Sequence, residues 1–179
     1  MERNITLIAL FAALIAALAM LPKFMLASGV PITAQSLGIM LAGTLLGPKR
    51  GALAVLLYLG LAAVGLPILA GGKGGLAPFM GITAGYLAGF VAAAFVAGLL
   101  AQKWREKGGA ILPALAAFIG GIVVLHAFGI VGMAAYADVS LAAASVWAVP
   151  FLIGDAIKAV LAGLITQAVM RARPGLAKA

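Results

Sequence analysis

The sequence predicts an all-α, polytopic membrane protein with six transmembrane helices in one membrane domain spanning residues 1–179. Three observations carry this. Hydrophobic residues make up 65% of the 179 and charged residues only 9%, against about 45–50% and about 25% in ordinary soluble domains. Six apolar stretches approach the roughly 20 residues a membrane-crossing helix needs. The twelve Lys and Arg residues fall unevenly between alternate connections. Four acids and twelve bases cannot coat a globule of this size, and a chain this apolar does not remain disordered. The absence of cysteine excludes disulfides, thiolate nucleophiles and Cys-based metal sites.

The expected spans cover about 5–21, 33–46, 51–65, 82–101, 111–136 and 145–170. The second and third are short for a full crossing. The first resembles a signal peptide, with Arg3 ahead of an apolar run and small residues at Ala17 and Ala19; the spans that follow argue against cleavage. With both termini cytoplasmic, the inside carries Arg3, Lys49, Arg50, Lys103, Arg105, Lys107, Arg171, Arg173 and Lys178, while the outside carries only Lys23 and Lys73. That asymmetry fits the positive-inside rule. The net charge of +8 is therefore a topology signal and does not imply nucleic-acid binding.

Among the connections, Gly47-Pro48-Lys49-Arg50-Gly51 reads as a tight turn, Gln102–Gly109 as a solvated basic connector and Asp138–Ala144 as a polar turn. Two outer loops are less ordinary. Pro22–Ile32 leads into Pro31-Ile32-Thr33-Ala34-Gln35. Leu66–Gly81 contains Gly71-Gly72-Lys73-Gly74-Gly75, a run that suits either a slack connector or a lid whose backbone approaches a ligand. It is not a phosphate-binding P-loop, because no Gly-Lys-Ser/Thr follows a strand. In the first span Ala9, Ala13 and Ala17 repeat at four-residue spacing. Such a stripe lets another helix approach closely, either within the bundle or from a partner protein.

Asp155 and Lys158 lie inside the last span, where each charge costs about 2.5–3.5 kcal/mol at a helix centre. Their spacing places them on one helix face. Counted from Ser145, Asp155 lies roughly 15 Å along the helix. Gly154 leaves room beside the acid, and Pro150 frees a carbonyl one turn earlier. The pair is either a self-neutralising structural ion pair or a ligand site open to the outside. An acid beside a base suits a neutral polar group with donors and an acceptor, or a zwitterion. His126 is the sole histidine, mid-span and of the kind usually satisfied structurally; Tyr86, Trp147 and Phe151 can wall an apolar pocket, and Trp104 reads as an interfacial anchor. Intramembrane hydrolysis finds no support. Ser28, Ser36, Ser140 and Ser145 lack a nucleophile-elbow setting, and one histidine cannot supply His-Glu-x-x-His.

Across nearly the whole chain the motifs resemble the BioY family, the biotin-specific S components of energy-coupling factor (ECF) transporters. The residues are Pro31–Gln35, Leu46-Gly47-Pro48-Lys49-Arg50-Gly51-Ala52, Gly65-Leu66-Pro67 with Gly71–Gly75, Gly85-Tyr86-Leu87, and Pro150-Phe151-Leu152-Ile153-Gly154-Asp155-Ala156-Ile157-Lys158-Ala159. Ile82 and Ile153 stand where the family favours proline. The resemblance implies a non-enzymatic subunit of a bacterial or archaeal cytoplasmic membrane that captures biotin tightly from outside, with biotin as transported ligand and no cofactor. It implies a site containing Asp155, Lys158, Tyr86, Gln35, Gly74 and Gly75. Asp155 would accept ureido N–H bonds, and Lys158 would donate to the ureido oxygen or the ligand carboxylate. It further implies that Ala9, Ala13 and Ala17 dock a membrane-spanning coupling (T) subunit working with two cytoplasmic ATPases. The alternatives are an S component for another small vitamin, a stand-alone secondary transporter or facilitator, and a purely structural subunit.

Overall fold

A computed structural model describes residues 2–22, 24–25, 31–105 and 109–173. Lys23, Lys107, Lys178 and most of the Pro22–Ile32 loop lie outside the described residues. The chain forms α1 (Glu2–Ala19), α2 (Gln35–Leu46), α3 (Pro48–Ala63), α4 (Ala84–Trp104), α5 (Ile111–Ala137) and α6 (Leu141–Ala172). The fold is all-helical as expected. The one strand pairing among the described residues is a two-residue antiparallel contact between Phe24–Met25 and Pro31–Ile32. Helices α1, α4, α5 and α6 are long and apolar enough to cross a membrane; α2 is apolar but short.

Several boundaries differ from the sequence expectation. The turn expected over Gly47–Gly51 shrinks to Gly47 alone, with Pro48 at the first position of α3. Pro loses no hydrogen bond there, because the first helical N–H groups have no intrahelical acceptor. Gly47 adopts φ 81° and donates its N–H to the Gly43 carbonyl, a backbone state open to glycine. Helix α4 runs to Trp104, which shortens the basic connector. The polar turn before α6 is confined to 138–140, since α6 begins at Leu141 with the Ser140 hydroxyl accepting from the Ala143 N–H at 3.2 Å. Asp155 therefore lies deeper than expected, roughly 21 Å along the helix at 1.5 Å per residue. Pro150 is accommodated inside α6.

Helix α2 is the axis of the bundle. It packs against every other helix, and all of its residues except Leu37 are buried. Helix α5 contains a π-helical segment, Ile119–Val124, in which Gly120 and Gly121 sit against Ala93 and Ala97 of α4 and Met40 of α2. Small residues bring α4 and α5 into backbone contact: a Cβ on Gly132 would lie 2.5 Å from the Gly85 Cα. Close approach of this kind drives helix association in lipid, where apolar burial gives no advantage. Gly132→Val should therefore force the two helices apart and destabilise the fold by roughly 1–3 kcal/mol, the usual range for overpacking. A lower melting temperature in detergent checks this, and an unchanged one counts against the contact.

The cations divide by end. Arg3, Lys49, Arg50, Lys103, Arg105, Arg171 and Arg173 sit at the end holding the N-terminus of α1 and the C-termini of α4 and α6. Arg50 ties two helices together there, donating from Nε to the Leu46 carbonyl and from a terminal nitrogen to the Asn4 side chain. At the far end lie the α3–α4 loop and the N-termini of α2 and α4.

Candidate ligand-binding site

A cavity opens at that far end. It encloses about 720 Å³ when its mouth and the open solvent there are included. The start of α2 supplies Thr33, Gln35 and Ser36; the α3–α4 loop supplies Leu69, Ala70, Lys73 and Pro78. The start of α4 supplies Thr83, Tyr86, Leu87 and Phe90, α5 supplies Leu125, and α6 supplies Phe151, Asp155 and Lys158.

The Asp155–Lys158 pair forms the polar floor, and the cavity lies directly beside it. The Lys158 Nζ donates to Asp155 Oδ1 at 2.8 Å and to Ser36 Oγ at 3.0 Å, while the Ser36 hydroxyl donates to Oδ1 at 2.8 Å. Ser36 thus closes a three-residue cluster across 119 positions of sequence. The Asp155 side chain is 6% exposed and that of Lys158 15%. Removing two charges from water costs several kcal/mol per ion, and good hydrogen bonding must offset it. Here both donors converge on Oδ1. His126 Nε2 lies 3.7 Å from Oδ2.

His126 joins the cluster from α5. Its Nδ1 lies 3.0 Å from the Ile122 carbonyl. A carbonyl only accepts, so Nδ1 carries a proton and Nε2 is left facing Asp155 without a hydrogen bond. The ring packs edge-on to Tyr86 and against Phe151. Among the described residues, three buried side-chain atoms lack a hydrogen-bond partner: Gln35 Nε2, the Tyr86 hydroxyl and His126 Nε2. Orphaned buried polar groups are rare and call for a partner. All three belong to residues lining the cavity or abutting its floor.

Of the residues expected in the site, Asp155, Lys158, Tyr86 and Gln35 converge on the cavity, whereas Gly74 and Gly75 are absent from its lining. Both glycines close the loop instead. The Gly75 N–H donates to the Ala62 carbonyl at the end of α3, and Gly74 packs so tightly on the Leu66 carbonyl that a Cβ would collide with it. The Tyr58 hydroxyl holds the same loop through the Ile68 carbonyl at 3.0 Å. The loop is anchored, neither slack nor placed over the cavity by its last two glycines. Phe151 lines the cavity; Trp147 packs against the core instead. Ser36 and Lys73 were not expected in the site.

The chain is similar over nearly its whole length to known proteins. A family model described as "BioY family" matches residues 2–175. A protein named Biotin transporter BioY from Rhodobacter capsulatus is 49% identical over 183 residues, covering 97% of this chain and 96% of its own length. Its namesake from Rhizobium etli is 51% identical, covering 96% and 95%. A crystal structure of the S-component for biotin from an ECF-type ABC transporter superposes with a TM-score of 0.87 at 31% identity, over 95% of this chain and 92% of that one.

Proposed function

The chain belongs to the BioY family, and from that premise we propose that it is the biotin-binding membrane subunit of a biotin uptake system. One observation carries the reading to this chain's own residues: a cavity floored by Ser36, Asp155 and Lys158 and bordered by the unpartnered polar atoms of Gln35, Tyr86 and His126. Biotin offers a ureido group with two N–H donors and one carbonyl acceptor, an apolar thioether ring and a carboxylate tail. Asp155 Oδ2 accepts from a ureido N–H, and Gln35 Nε2 or the Tyr86 hydroxyl donates to the ureido oxygen. Charge-assisted bonds of the first kind are the stronger ones. Leu69, Leu87, Phe90 and Phe151 surround the thioether ring. Gly74 and Gly75 contribute by fixing the loop that walls the cavity. Lys158 holds Asp155 in place through Oδ1. The subunit binds and carries its ligand without chemical conversion.

The chain is a multi-pass membrane protein, which we assign to a bacterial or archaeal cytoplasmic membrane with its cation-rich end toward the cytoplasm. Its partners on this reading are a membrane-spanning coupling subunit and two cytoplasmic ATPases. Ala9, Ala13 and Ala17 are all exposed on α1, and they supply the flat face on which the coupling subunit docks. Titration of the purified chain with biotin should give one site per chain with an affinity tighter than about 1 μM. A flat titration, with ligand-free protein verified by mass spectrometry, overturns the proposal.

A further inference from the structure

The charges lining the cavity do not cancel. Asp155 and Lys158 neutralise each other at the floor, where the ammonium is already committed to Oδ1 and to Ser36. Among the described residues, the other ionisable side chain that brings charge to the lining is Lys73, and no acid besides Asp155 lines the cavity. The described lining therefore carries an excess of one positive charge, located on the α3–α4 loop.

Lys73 is exposed, but its backbone is held. The Leu69 N–H donates to the Lys73 carbonyl at 3.0 Å, and the Lys73 N–H returns to the Leu69 carbonyl at 3.3 Å. The ties from Tyr58 to Ile68 and from Gly75 to Ala62 fix this small loop to α3. Among the described residues the Lys73 side chain has no hydrogen bond or ion pair. A flexible cation thus stands on an anchored base beside a cavity with one uncompensated positive charge.

We propose that Lys73 is a specificity-determining residue: its ammonium pairs with the carboxylate of the bound ligand, while the Ser36–Asp155–Lys158 cluster holds the neutral polar end. The inference rests on the biotin reading of the same cavity and refines it. Lys158 is poorly suited to the carboxylate. Turning its ammonium toward the ligand would leave Asp155 buried without its counter-ion, the costly way to break such a pair. Lys73 gives up only solvent on pairing, and its flexible four-carbon stem lets the ammonium follow the ligand's tail.

The test compares biotin with its neutral primary amide, each titrated into the purified full chain, its Lys73→Met variant and its Lys73→Arg variant. The unaltered protein should prefer biotin over the amide by about tenfold, the scale of one partly exposed charge-assisted contact. Lys73→Met should erase that preference by weakening biotin alone, and Lys73→Arg should keep it. An unchanged biotin-to-amide ratio in Lys73→Met overturns the proposal. Equal weakening of both ligands also overturns it, because that is the signature of a loop-stabilising role. If the unaltered chain binds neither ligand, the biotin reading falls and this inference falls with it. If biotin binds and only the ratio fails to respond, the biotin reading stands and Lys73 alone is dismissed.

Discussion

Replacing Asp155 by Asn is expected to weaken biotin binding by about a hundredfold or more. The substitution keeps the shape of the side chain and changes its charge. Oδ1 now accepts two hydrogen bonds, from Lys158 and Ser36, and an asparagine carbonyl can retain both only as weaker, neutral-acceptor bonds. The atom facing the ligand changes more severely. In place of Oδ2, an acceptor near His126 Nε2, the variant presents either an NH₂ donor or, after an amide flip, the remaining carbonyl. A ureido N–H then meets a donor, or else Lys158 and Ser36 do. Lys158 also loses its counter-ion while mostly buried, which threatens the fold independently of ligand. The double variant Asp155→Asn/Lys158→Met separates the two effects. Without a buried unpaired charge it should melt close to the parent and still fail to bind. Parental affinity in either folded variant would remove Asp155 from the ligand site.

Ala13→Trp is expected to abolish uptake while leaving biotin affinity within about twofold of the parent. Ala13 is exposed on α1, in line with Ala9 and Ala17. Helix α1 packs mainly on α2 and α3 and supplies no residue to the cavity. An indole there meets lipid in the isolated subunit at little cost. It becomes an obstacle only when another helix needs the close approach that small residues permit. Binding is read by titration and transport by biotin accumulation in cells that supply the coupling subunit and ATPases. Undiminished accumulation would move the docking face elsewhere.

The charged centre was legible because lipid makes it conspicuous. Two ionisable residues one turn apart in a long apolar helix demand a local explanation, and Asp155 and Lys158 indeed touch each other and the cavity. Ser36 was not legible. A serine in an apolar helix can bond its own preceding turn, so it does not advertise a partner 119 residues away. His126 was recognisable as buried, yet nothing in its neighbours along the chain pointed to Asp155. The central position of α2 was hidden for a related reason. In a soluble bundle the inward face stands out by its hydrophobicity. Here lipid-facing side chains such as Ile153, Ile157 and Val160 of α6 are as apolar as those that pack inside. What remained was the length of α2 and its Gln35, Ser36, Gly38, Gly43 and Thr44. The loop Gly71–Gly75 shows the limit of composition: flexible residues are held by bonds from Tyr58 and Gly75 to distant carbonyls.

The burial of α2 has a mechanical consequence. One end of this rod presents Ser36 to the cavity floor, and about two turns further on the Thr44 hydroxyl meets that of Thr166 at 2.8 Å. Gly47 then hands the rod directly to α3. With all of its residues except Leu37 buried, it cannot shift without its neighbours rearranging. A push on Ser36 from an arriving ligand is thus either absorbed within the first turn or delivered, like force along a bolt through a lock, to the opposite face of the membrane.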